Sequence, residues 1–102
     1  MESFDSLSYR EKMISALNHP IDEFRLNAIN VLGRIGDERA VKALRDLARK
    51  EKSVPVLLEI VKALHSLSKK FESAEKALKE LENHRARVVA ERVKELIHHQ
   101  SE

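Results

Sequence analysis

The chain has 102 residues, 42% of them apolar and 35% charged, with a formal net charge of +2. That length supports one small domain with a modest continuous core, and the apolar content excludes a disordered chain. The lack of Cys excludes disulfides, thiol catalysis and Cys-based zinc sites, two Gly and two Pro argue against a loop-rich or all-β fold, and no 18-residue apolar run offers a membrane span.

Hydrophobic periodicity predicts six helices in succession. The first covers residues 6–18, with Leu7, Arg10, Met13, Ile14 and Leu17 at helical spacing and Asp5 or Ser6 as N-cap. Asn18-His19-Pro20 breaks it, because Pro disfavours helical geometry in the residue before it. The second runs from Ile21 to Arg34 through Phe24, Ala28, Ile29 and Leu32, and Gly33 and Gly36 supply the tight or left-handed backbone that ends it. Asp37 is expected to cap the third, which passes through Ala40, Val41, Leu44, Leu47 and Ala48 to Lys50.

After the break at Glu51-Lys52-Ser53, Pro55 falls in the first turn of the fourth helix, where its missing N–H costs little. That helix carries Val56, Leu57, Ile60, Val61, Leu64 and Leu67. Ser68-Lys69-Lys70 is a turn, Ser73 or Glu72 opens the fifth helix through Ala74, Ala77, Leu78 and Leu81, and Asn83-His84 breaks it. The sixth runs from Arg85 to His98 through Val88, Val89, Val93, Leu96 and Ile97.

Superposing the helices exposes a repeat. The even-numbered helices align Leu32, Leu64 and Leu96 at steps of 32, with Ile29, Val61 and Val93 and then Phe24, Val56 and Val88 in register. The odd-numbered helices align Leu17, Leu47 and Leu81 at steps of 30 and 34. With even helices named A and odd ones B, residues 1–102 form one domain: a half repeat (6–18), two repeats (20–50 and 54–83) and a closing half repeat (85–99). Where the fourth helix has Val56, Ile60 and Ala63, the sixth has Val88, Arg92 and Glu95, a polar change expected of a terminal capping helix at a true C-terminus.

The segment from Asn18 to Leu47, above all Leu32-Gly33-Arg34-Ile35-Gly36-Asp37 followed by Ala40-Val41, resembles the short HEAT-like repeats of the phycobilisome-lyase type. The second repeat departs from that pattern, with His65, Ser68 and Leu57 in place of Gly33, Gly36 and Arg25. The resemblance implies an all-α, short right-handed α-solenoid of six antiparallel helices. It also implies a non-catalytic scaffold that binds another macromolecule, and B helices that line the inner face. Some members of that family help attach or remove bilin chromophores, so an accessory role of that kind is an alternative the resemblance raises. Distant relatives bind DNA. The tetratricopeptide repeat fits poorly, since its aromatic and small-residue pattern is missing.

On the B helices the register places Lys12, Lys42 and Lys76 in one column, Ser15, Arg45 and Lys79 in the next, and His19, Arg49 and Asn83 in a third. Lys12, Lys42, Arg45, Arg49, Lys76 and Lys79 therefore form the expected partner-binding face. A protein partner of acidic character is the first expectation and nucleic acid the alternative. The plain counter-reading is a solvated face with salt bridges to Glu11, Asp46 and Glu80. No aromatic residue interleaves the stripe, which disfavours base stacking.

Asp22 and Arg25 read as a structural pair that bridges helix ends or neighbouring repeats. His98 and His99 diverge by about 100° on a helix, and His19, His65 and His84 lack carboxylates at ligand spacing, so no metal and no cofactor are expected. Gly33 and Gly36 lack the Lys-Ser/Thr of a phosphate loop. No nucleophile elbow or His-Glu-x-x-His motif appears, and the carboxylates suit i,i+4 pairs such as Glu38 with Lys42 and Glu75 with Lys79, so no enzyme is expected. Phe4, Leu7 and Tyr9 either close the core at the N-terminal edge or leave an apolar edge exposed. Met1 to Asp5 lack the basic and apolar regions of a signal peptide, and the Cys-free composition suits a cytoplasmic setting.

Overall fold

Helix α1 (Tyr9–Ala16) starts where Ser8 closes a reciprocal cap: Ser8 Oγ accepts from the Glu11 N–H, and Glu11 Oε1 accepts from the Ser8 N–H, both at 3.2 Å. The computed structural model describes residues 8–100, with side chains to His98, so the expected caps Asp5 and Ser6 and the apolar Phe4 and Leu7 lie outside the described residues. The helix is shorter than the expected 6–18 because the cap sits at Ser8 and the chain already turns at Leu17.

Helix α2 (Asp22–Ile35) carries Asp22 and Glu23 in its first turn, where they suit the positive end of the helix dipole. It ends at Gly36, whose φ of 74° is left-handed as expected. Gly33 does not share that role. It lies inside α2, and its missing side chain lets α4 approach: a Cβ there would stand 3.1 Å from the Ala63 Cβ.

Helix α3 (Arg39–Lys50) follows at once, with Glu38 rather than Asp37 at the N-cap position. Asp37 Oδ1 still accepts from the Arg39 N–H at 2.9 Å, so it organises the turn from one residue earlier. Helix α4 (Val54–Ser68) has Ser53 Oγ accepting from the Val56 N–H and Pro55 in its first turn. Helix α5 (Glu72–Glu80) opens at Glu72, with Phe71 at the cap position and no side-chain cap. It tightens into a 3₁₀ turn at Leu81–Asn83 before α6 (Arg87–Gln100), which begins and ends two residues later than the sequence suggests.

The even helices form one layer, with α2 packed along α4 and α4 along α6. The odd helices lie on the other side, with a sparser contact between α3 and α5. Ile29, Val61 and Val93 are fully buried, as are Leu32 and Leu64, while Leu96 is partly covered. Leu17, Leu47 and Leu81 are buried in the odd layer. Each fully buried Leu or Ile contributes ~2 kcal/mol relative to an exposed one. The Phe24, Val56, Val88 column holds only at its centre: Val56 is buried, whereas Phe24 and Val88 are 53% and 52% exposed. Val56 lies within the stack, while the outer two copies stand in its end repeats. Phe24 instead rests against the His19 ring, 4.4 Å between centroids. Among the described residues there is no strand, so the molecule is an all-α solenoid of six helices.

Candidate functional site

The odd helices present the predicted cations outward, but not as a bare stripe. Lys42 meets Asp46 at 3.5 Å, Lys76 meets Glu72 at 3.9 Å and Lys79 meets Glu75 at 3.4 Å, each one turn along its own helix. Arg45 reaches from α3 to Glu80 on α5 at 2.7 Å. Lys12 is partly covered on α1. Arg49 is exposed in the last turn of α3 and finds no carboxylate partner among the described residues. The expected pair of Glu75 and Lys79 forms. The expected pair of Glu38 and Lys42 does not, because Glu38 accepts from Ser73 Oγ at 2.9 Å and Lys42 turns to Asp46. Exposed pairs of this kind are worth about 0.3–0.5 kcal/mol, so a partner's charges can replace them.

Between α3 and the end of α5 the face opens into a cleft of about 280 Å³, lined by Arg45, Arg49, Asn83, His84 and Arg85 over Ala48, Ala77 and Leu81. Arg85 Nη2 donates to the Glu51 carbonyl at 2.9 Å, and Nη1 to the Arg49 carbonyl at 3.5 Å. These contacts satisfy carbonyls that the end of α3 leaves free. His84 Nδ1 accepts from the Ala86 N–H at 3.0 Å. Its proton therefore resides on Nε2, which points at the Ala48 carbonyl 3.3 Å away.

The Asp22–Arg25 pair does bridge neighbouring repeats, through Glu51 in the break between α3 and α4. Glu51 is 6% exposed and is the buried charged residue among those described. Arg25 holds it by both edges, Nε to Oε1 at 2.9 Å and Nη2 to Oε2 at 3.1 Å. Arg25 Nη1 donates to the His19 carbonyl at 2.8 Å and the Pro20 carbonyl at 3.2 Å, and Nη2 also pairs with Asp22. The Glu51 hydrogen bond raises the Arg25 pKa above its ordinary value, with Asp22 adding to it, so this guanidinium stays charged. Glu51 Oε2 also accepts from the Ser53 N–H at 3.0 Å.

That last bond exposes a hidden column. His19, Glu51 and His84 stand at successive B-to-A turns, and each accepts from the backbone N–H two residues on, at Ile21, Ser53 and Ala86. The recurrence of Asn-His at positions 18–19 and 83–84 was the sequence signal for two of the three.

Elsewhere, Asp37 is held below the usual carboxylate range by the Arg39 side chain and backbone, with Arg10 adding to it at 3.7 Å. His65 lies on the even layer beside a groove of about 590 Å³. Burial, with Lys69 nearby, pushes its pKa below the ordinary value. Among the described residues no three His, Asp or Glu side chains converge as metal ligands, and no helix is long and apolar enough to cross a membrane. In comparisons with known proteins, residues 10–98 match a family model described as HEAT repeats. No curated protein and no solved structure gives a match.

Proposed function

This chain belongs to the HEAT repeat family, and from that premise we propose that it is a non-catalytic cytoplasmic scaffold that binds another protein through the exposed side of α1, α3 and α5. HEAT repeats commonly serve as protein-interaction scaffolds. Lys12, Lys42, Arg45, Arg49, Lys76 and Lys79 form the face in this reading.

The observation that carries it is the mixture of charge. Asp46, Glu72, Glu75 and Glu80 are interleaved with the cations, within 4 Å of them. A nucleic-acid backbone brings only negative charge and would meet those carboxylates unfavourably. A protein surface carries both signs and can complement both, which favours specificity and a steered encounter.

The test is a pull-down from native extract with the purified chain as bait, with and without nuclease, at two salt concentrations. Protein bands that survive nuclease and weaken in a Lys42→Glu/Lys76→Glu variant of unchanged helicity support the reading. Capture that disappears with nuclease and falls steeply with salt replaces it with nucleic-acid binding.

A further inference from the structure

Two guanidinium groups on the odd-helix side have no carboxylate partner among the described residues, and they line the same cleft. Arg49 finds none among the described residues, and Arg85 directs its bonds to main-chain oxygens of Arg49 and Glu51. Across the cleft Arg45 is already paired with Glu80, while His84 bonds the main chain through both ring nitrogens. The cleft therefore holds a surplus of positive charge above an apolar floor.

The floor explains why the cleft exists. Ala48 on α3 and Ala77 on α5 are small where the two helices face each other, and Leu81 closes the bottom. At about 280 Å³ the space is slightly below the range of roughly 300–1,000 Å³ typical of small-molecule sites. It suits one or two side chains of a polypeptide.

We propose that this cleft anchors an extended acidic segment of a partner protein, with an Asp or Glu side chain taken by Arg49 and Arg85 and a neighbouring aliphatic side chain on the Ala48, Ala77 and Leu81 floor. The proposal rests on the protein-binding reading above and deepens it by naming the segment's chemistry and by adding Arg85 to the face. A planar guanidinium fork matches a carboxylate in two-point geometry. The apolar floor strengthens that contact by excluding water on one side. An aliphatic neighbour on the segment gains burial that a sugar–phosphate chain cannot match. Glu80 at the rim disfavours the higher charge of a phosphate.

The test is a titration of the full ¹⁵N-labelled chain, followed by amide chemical shifts. The probe is an end-blocked peptide of alternating Glu and Leu, compared with its Gln–Leu counterpart. The expected result is saturable shifts at Ala48, Ala77 and Arg85, at least tenfold weaker for the Gln peptide. Arg49→Glu and Arg49→Gln should each weaken binding at least tenfold, while Lys62→Glu on the even layer binds as the parent does. Arg49 makes only a main-chain contact, so both variants keep the fold, which a far-ultraviolet spectrum checks.

Shifts confined to Lys12, Lys42 and Lys76 would overturn the cleft as anchor and leave the broader face standing. No shift anywhere overturns the cleft and leaves the pull-down to judge the broader reading alone. Equal binding of the Gln peptide, or tighter binding of a single-stranded oligonucleotide at the same amides, also overturns it.

Discussion

Replacing Arg25 with alanine should destabilise the stack more than replacing Glu51, although both changes break the same pair. Without Arg25, a carboxylate that is 6% exposed keeps only the Ser53 N–H at 3.0 Å as a donor. Leaving one charge of a buried pair uncompensated costs about 3–5 kcal/mol, and the lower figure suits this site, which lines an open surface cleft with Asn18, His19, Lys50 and Lys52. Without Glu51, Arg25 retains Asp22 and the carbonyls of His19 and Pro20, so the loss should be about 1–2 kcal/mol.

In a domain of this size a loss of ~3 kcal/mol lowers Tm by roughly 12–24 °C, a change easily read by circular dichroism at 222 nm. The double alanine variant should be less destabilised than the sum of the two singles by more than about 1 kcal/mol, because it removes the orphan charge as well. Equal losses in the two single variants, or additive behaviour in the double, would refute the argument and reduce the pair to a surface contact.

Three further outcomes follow from local geometry. Gly33→Ala gains about 0.5–1 kcal/mol of helix propensity but places a methyl 3.1 Å from Ala63 Cβ, at an expected cost of about 1–3 kcal/mol. Denaturant unfolding should therefore show net loss, relieved when Ala63→Gly is added. Gly36→Ala forces φ of 74° on a residue with a side chain and should cost about 1–2 kcal/mol. Gly36→Asn should cost less, since Asn tolerates this cap.

The third concerns acid stability. Burial lowers the His65 pKa in the folded state below its ordinary 6.5, so the unfolded chain takes up the proton first. The His65 contribution is fully present above pH 6.5 and is lost as pH falls from there through the folded value. His65→Gln should flatten the stability profile in that window, and an unchanged slope would show that the imidazole is not desolvated in the fold.

The helices and most of their core columns could be read from the chain because a 3.6-residue period is a local signal. Ile29, Val61 and Val93 needed no knowledge of their partners to be identified. The errors fall where a residue's role depends on something distant. Gly33 looks like a helix breaker until Ala63 of the next repeat is set against it. Glu51 looks like a turn residue until Arg25, a whole helix earlier, closes on it. Asp37 was misplaced by one position because several residues of a tight turn offer a similar oxygen to the next helix. At the candidate site the cation columns were readable, but the pairing of Lys76 with Glu72 and the placement of Arg85 over the end of α3 were not. Both depend on rotamers and helix ends that a sequence register does not fix.

The contrast between the two layers has a mechanical consequence. On the even side, α2 and α4 meet backbone against side-chain methyl, with no compliant atoms between Gly33 and Ala63. On the odd side, α3 and α5 are joined across an alanine-lined gap by the Arg45–Glu80 strap and the Ser73–Glu38 hydrogen bond. A superhelix flexes by small rotations between repeats, and here the rigid seam acts as the pivot while the strapped side takes up the displacement. The exposed Arg45–Glu80 pair supplies the ionic part of the tie on that side, beside the Ser73–Glu38 and Arg85–carbonyl hydrogen bonds. That ionic part weakens as ionic strength rises, so salt should loosen the spacing of the face offered to a partner more than it loosens the Gly33–Ala63 seam.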